Sequence, residues 1–148
     1  MWPCGGERPE QQRGIVVGEP NGQLALVPLR DAARRALRLS VSAIYVDTSA
    51  LGGILLGEPG TEAVATALPR YTERVSSQLL RVELRRLGAR SGRLPAADRL
   101  LTGVALVPLD DSLMREAELI TPANVATLDA LHLATAVRLG EAGVLAQS

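Results

Sequence analysis

The chain has 148 residues, 47% apolar and 22% charged, with 16 basic and 16 acidic side chains that cancel at neutral pH: material for one domain, without a global basic field. All 16 basic residues are arginine, and the chain holds one histidine, His132, and one cysteine, Cys4. The absence of lysine excludes a P-loop and Schiff-base or pyridoxal chemistry, and a lone His and Cys exclude a structural zinc cluster or a disulfide framework, which leaves hard oxygen donors.

The amino terminus, Met-Trp-Pro-Cys-Gly-Gly-Glu-Arg-Pro-Glu, carries charge and helix breakers where a signal peptide would be apolar. No apolar run approaches the ~18 residues that span a bilayer, so a cytoplasmic protein with no membrane partner is expected. The first 22 residues contain five Gly and three Pro, too many for a regular element, and read as a loose tail. Leu24 to Val27 reads as a short strand after the Asn21-Gly22 turn signal, and Asp31 to Leu39 as a short helix capped by Asp31. Residues 1–40 carry no recognisable chemistry and are expected to be a partly disordered, dispensable extension ahead of a domain over residues 41–148.

Ala43-Ile-Tyr-Val46 is a continuous apolar strand that ends abruptly in Asp47-Thr48-Ser49 and passes into a helix, Ala50 to Leu56, stopped by Gly57. Thr61 is expected to cap a helix through Leu68, ended by Pro69. Arg74 to Ser76 reads as the next strand, and Ser77 as the cap of a helix from Gln78 to about Leu87, ended by Gly88. A helix over Ala96 to Leu101 and a strand over Ala105 to Pro108 follow. Asp110 or Asp111 caps a helix reaching Leu119, and Thr127 caps an almost wholly apolar helix, Leu128 to Leu139, closed by Gly140. Gly143 to Leu145 would begin a fourth strand. Strands repeatedly separated by helices imply parallel pairing with crossover helices, hence an α/β sandwich with helices on both faces of a sheet of about four parallel strands.

Three carboxylates stand out. Asp47 falls where the first parallel strand ends, and in open parallel sheets ligands bind outside the carboxyl ends of strands; alternatively it caps the following helix. Glu83 has Leu79, Leu80 and Leu87 three and four residues away, so it lies on or beside an apolar stripe. A buried unpaired carboxylate costs several kcal/mol, which a bound cation or an ion pair with Arg81, Arg85 or Arg86 would remove. Asp129 stands in the first turn of the last helix, where it could also serve the helix dipole. His132, one turn on, lacks a second His or Cys and reads as a core residue or one that orients a ligand. Three acids at one end of a parallel sheet favour Mg²⁺ or Mn²⁺.

Ile44-Tyr45-Val46-Asp47-Thr48-Ser49-Ala50-Leu51, then Val75-Ser76-Ser77 leading to Arg81-Val82-Glu83-Leu84, then Thr127-Leu128-Asp129-Ala130-Leu131-His132-Leu133-Ala134-Thr135-Ala136 resemble, in order and spacing, the signature blocks of PIN-domain ribonucleases of the VapC type, the toxins of bacterial toxin–antitoxin pairs. The resemblance covers residues 41–145 and implies a PIN-like three-layer sandwich. It further implies a homodimeric, Mg²⁺-dependent endoribonuclease that cuts RNA with a metal-activated water and is silenced by a cognate antitoxin protein. Asp47, Glu83 and Asp129 would be its catalytic, metal-site carboxylates, with Thr48 or Ser49 as a hydroxyl neighbour of the metal or phosphate. Arg81, Arg85, Arg86, Arg90, Arg93 and Arg99 set six positive charges against Glu83 and Asp98 within 19 residues; this patch, Arg85 and Arg86 in particular, is suited to RNA phosphates or an antitoxin's acids, unless it is a solvated helix face.

Family chains continue past the fourth strand with a Thr-x-Asp segment that supplies a fourth acid, whereas this sequence reads Val144-Leu145-Ala146-Gln147-Ser148. A carboxyl-terminally truncated domain and a weak nuclease are therefore expected. The alternative is a degenerate PIN domain that binds antitoxin or RNA without cutting. A phosphotransfer domain of similar architecture ranks last, because it would use a lysine beside the phosphoryl group and the chain has none.

Overall fold

The computed structural model describes residues 14–18, 24–28, 31 and 42–145. Its elements in chain order are β1 (Gly14–Gly18), β2 (Leu24–Pro28), β3 (Ala43–Tyr45), α1 (Thr48–Leu56), α2 (Thr61–Ala67), a 3₁₀ turn (Leu68–Arg70), β4 (Glu73–Ser77), α3 (Leu79–Arg90), α4 (Leu94–Leu101), β5 (Val104–Val107), α5 (Asp111–Glu118) and α6 (Thr127–Glu141). The sheet order is β2-β1-β5-β4-β3. β3, β4 and β5 are parallel, with Tyr45 opposite Val75 and Val75 opposite Ala105. β1 pairs antiparallel with β2 along its whole length and with β5 through Val16 and Leu106.

Alternation along the parallel strands sends side chains to two cores. On one face Ala43, Val75, Ala105 and Val107 pack with Leu139 of α6 and with Val144. On the other, Val46 joins Leu51 and Leu55 of α1, Leu68, Leu80 and Leu84 of α3, and Ala97 of α4. The molecule is thus an α/β sandwich with helices on both faces, as expected. Leu80 and Leu84 have no solvent exposure, so truncating either to alanine would cost about 2–5 kcal/mol.

Several local expectations are corrected. The sheet has three parallel strands, not about four, because Gly143 to Leu145 forms no strand. Gly143 takes a left-handed φ of 74°, which lets the Val144 amide close on the Leu139 carbonyl at 3.0 Å and finish α6 as a helix cap with Val144 tucked into the core. The first 22 residues are not all loose, since Gly14–Gly18 is a strand. A strand at Leu24 is as expected; the helix expected over Asp31 to Leu39 lies, apart from Asp31, outside the described residues.

α2 is preceded by Gly60, and Thr61 is its first residue and not its cap; Pro69 sits inside the 3₁₀ turn. α3 runs through Gly88 to Arg90, and α6 runs through Gly140 to Glu141 with Ala126 ahead of it and no side-chain cap at Thr127. Gly88 serves helix packing instead: a β-carbon there would lie 2.8 Å from the Ala97 methyl. Asp110, and not Asp111, caps α5, accepting from the Leu113 amide at 2.7 Å. Among the described residues no helix is long and apolar enough to cross a membrane.

Candidate functional site

The carboxyl ends of the three parallel strands converge, and Asp47 follows β3 there. Its Oδ1 accepts from the Ala50 amide at 3.0 Å and from the Ser49 hydroxyl at 2.8 Å, so it caps α1 while remaining exposed to solvent. Capping occupies one carboxylate oxygen, and Oδ2 accepts from no described residue. The helix-capping alternative is therefore realised without excluding a ligand on the second oxygen.

Glu83 lies in the first half of α3, with its side chain 21% exposed. Its partners are not arginines. Oε2 accepts from the Thr48 hydroxyl and stands 2.9 Å from His132 Nε2. Thr48 directly follows Asp47, so one residue links the first two candidate acids. Arg85 is paired with Asp98, and Arg93 donates to the Leu55 carbonyl at the end of α1 at 2.7 Å. Two members of the six-arginine patch are thus engaged within the fold. Arg81, Arg86, Arg90 and Arg99 are exposed.

His132 is buried, 8% exposed, and its other nitrogen, Nδ1, lies 2.7 Å from the Tyr45 hydroxyl. Tyr45 in turn accepts from the Ser77 amide at 3.2 Å. Burial pushes the Tyr45 phenol up to about 12, against the hydrogen bonds it receives, which pull it down. Sequence reasoning gave Tyr45 no part in the site. The available signal was compositional: a chain with two Tyr, one Trp and no Phe places a phenol in an aliphatic strand, and a buried phenol requires a hydrogen-bond partner.

Asp129 is exposed on the first turn of α6 and makes no hydrogen bond or ion pair with a described residue. Among the described residues no three His, Cys, Asp or Glu side chains gather closely enough to hold one metal ion. The arrangement unites Glu83 with Thr48, His132 and Tyr45, and leaves Asp47 and Asp129 at its exposed margin. Ser49 is turned to Asp47. Such a donor set suits Mg²⁺, which keeps most of its water and is held by one or two carboxylates, better than an ion that needs an all-protein cage.

A parallel α/β sandwich with acids at the carboxyl ends of its strands and on the following helix is the arrangement expected from the three sequence blocks. The chain belongs to the PIN-domain family, whose model matches residues 44–146 and so includes Asp47, Glu83 and Asp129. Two relatives narrow this further. It is 40% identical over 103 residues to Ribonuclease VapC47 of Mycobacterium tuberculosis (strain CDC 1551 / Oshkosh), covering 65% of this chain and 76% of that protein. It is 37% identical over 102 residues to Ribonuclease VapC46 of Mycobacterium tuberculosis (strain ATCC 25618 / H37Rv), covering 68% of this chain and 78% of that protein. The resemblance to VapC-type PIN ribonucleases therefore holds. No solved structure gives a significant match.

Proposed function

We propose that the protein is the toxin of a toxin–antitoxin pair and acts as a Mg²⁺-dependent endoribonuclease, with Mn²⁺ able to replace Mg²⁺. The observation that carries this reading is the 40% identity to Ribonuclease VapC47. Asp47, at the end of β3, and Glu83, joined to Thr48, supply the chemistry this class of enzyme needs. An RNA substrate, a cognate antitoxin protein, a homodimeric state and a cytoplasmic location belong to the same reading.

Asp47 Oδ2 and Glu83 Oε1 are the oxygens that would hold the ion directly, with water filling the rest of its shell and the exposed Asp129 carboxylate acting through that water. When bound, Mg²⁺ supplies Lewis acidity toward the scissile phosphate and lowers the pKa of the attacking water. The chain's own part is to orient these carboxylates. Asp47 is fixed by its helix-capping bonds, and Glu83 by Thr48 and His132. Arg81, Arg86, Arg90 and Arg99 offer charge to the RNA backbone from the α3–α4 side; Arg85 contributes less, because Asp98 already neutralises it.

The test is RNA cleavage with and without Mg²⁺ by the wild type and by Asp47→Asn and Asp129→Asn. Asparagine caps helices about as well as aspartate, so Asp47→Asn should keep the fold, checked by circular dichroism, and lose cleavage. Wild-type rates in both folded variants would sink the metal-site assignment. RNA or antitoxin binding without any Mg²⁺-dependent cleavage by the wild type would establish the degenerate, non-cutting reading instead.

A further inference from the structure

The Glu83 carboxylate ends a hydrogen-bond chain that links four elements. The Ser77 amide at the end of β4 donates to the Tyr45 hydroxyl on β3 at 3.2 Å. The Tyr45 hydroxyl lies 2.7 Å from His132 Nδ1 on α6, and His132 Nε2 lies 2.9 Å from Glu83 Oε2 on α3. Ser77 has no exposure and His132 8%. A carboxylate accepts and does not donate, so a proton on Nε2 faces Glu83; the tautomer with that single proton accepts at Nδ1 from the Tyr45 O–H, whose oxygen accepts from Ser77. The donors then run in one direction, from the Ser77 amide to the Glu83 carboxylate, with the Thr48 hydroxyl standing 3.4 Å from Nε2 beside them.

We propose that His132 and Tyr45 are positioning residues for Glu83: they fix Oε2 through the imidazole and thereby commit Oε1 to the ligand. This rests on the function proposed above. Thr48 alone would leave the carboxylate one hydroxyl partner on a side chain with three rotatable bonds. The buried imidazole adds a rigid second donor whose own ring is oriented from behind by Tyr45. Partners that orient a metal-holding group in this way typically contribute roughly 10–100-fold to metal affinity or turnover.

The chain contains a single histidine, so its imidazole nitrogens can be read without assignment in a long-range ¹H–¹⁵N spectrum of the full chain. The expected result is the Nε2-protonated tautomer, with the Nδ1 resonance displaced in Tyr45→Phe and the Nε2 resonance displaced in Glu83→Gln. A Nδ1-protonated ring, or no response to either change, overturns the proposal.

The second arm measures Mn²⁺ affinity by calorimetry and RNA cleavage in His132→Leu and His132→Gln. Leucine should weaken Mn²⁺ binding and lower kcat by roughly 10–100-fold with little change in KM, and glutamine, which keeps an N–H donor, should recover most of the loss. In a Glu83→Gln background, His132→Leu should have no further effect on Mn²⁺ affinity. Equal Mn²⁺ affinity and kcat in folded His132→Leu and wild type overturn the inference alone. A wild type that neither binds Mn²⁺ nor cuts RNA overturns the proposed function, and this extension with it.

Discussion

Arg138 of α6 grips Glu116 of α5 with two parallel hydrogen bonds, Nε to Oε2 at 3.0 Å and Nη2 to Oε1 at 2.8 Å, while itself only 7% exposed. The same guanidinium reaches Asp110 Oδ2 at 3.3 Å and the Ser112 hydroxyl at 3.1 Å. Burial works against its charge, but the Glu116 and Asp110 carboxylates outweigh it and the pKa is raised. The guanidinium therefore stays charged at every pH below the ordinary arginine range. Removing Glu116 with Glu116→Ala leaves a buried guanidinium partly unpaired and should cost about 1–3 kcal/mol. The cost should fall short of that for a fully buried pair, because the Glu116 side chain is 41% exposed. Urea denaturation at neutral pH reads the change, and a loss under about 0.5 kcal/mol would show that Asp110, Ser112 and water suffice.

Tyr45 gives the protein a specific alkaline limit. Its phenol ionises near 10 in an unfolded chain and at about 12 in the fold, because burial disfavours the phenolate. A folded pKa raised above the unfolded one means that this contribution is fully present below pH 10 and is lost as pH rises from 10 to about 12. The interval corresponds to roughly 3 kcal/mol at most. Thermal melts of wild type and Tyr45→Phe between pH 8 and pH 11.5 should diverge: the wild type loses stability above pH 10 more steeply than the variant. Parallel curves would count against a buried, hydrogen-bonded Tyr45.

Gly88 lies in the last turn of α3, where alanine would ordinarily gain up to about 1 kcal/mol. Here a β-carbon would stand 2.8 Å from the Ala97 methyl, 3.1 Å from Leu94 Cα and 3.3 Å from the Arg93 carbonyl. Two of these three neighbours are backbone and cannot turn aside. Gly88→Ala should thus destabilise by about 1–3 kcal/mol, reversing the helix-propensity trend. Paired Gly88→Ala and Gly88→Ala/Ala97→Gly variants test the cause, since the second change removes one contact and should return part of the loss.

β1 pairs with the edge of β5 and β2 pairs with β1, so these two strands extend the sheet even though they hold no candidate acid. A chain beginning at Val41 is expected to expose the unpaired edge of β5, to melt at lower temperature and to self-associate as concentration rises. Sedimentation and thermal unfolding of the two chains would decide. Identical behaviour would show that the hairpin is dispensable.

Short-range signals carried most of what the sequence determined. The apolar run at Ala43, the capping acids Asp47 and Asp110, the stop at Gly57 and the three blocks bearing Asp47, Glu83 and Asp129 are local patterns, each written within a few residues, and they were enough for the sandwich and for the family. The failures were of another kind. Nothing near Glu83 in sequence distinguishes pairing with the neighbouring arginines from pairing with His132, which is 49 residues away. The Arg138 clasp spans 22 to 28 residues, and the seating of β1 on β5 joins segments about 90 residues apart. A helix periodicity states which face is apolar, but only packing against the sheet selects the polar group that meets a side chain at the rim of that face. Tertiary structure therefore decided the partners of Glu83, because hydrogen bonds need atoms within about 3 Å, and the folding of distant segments onto a common sheet determines that distance.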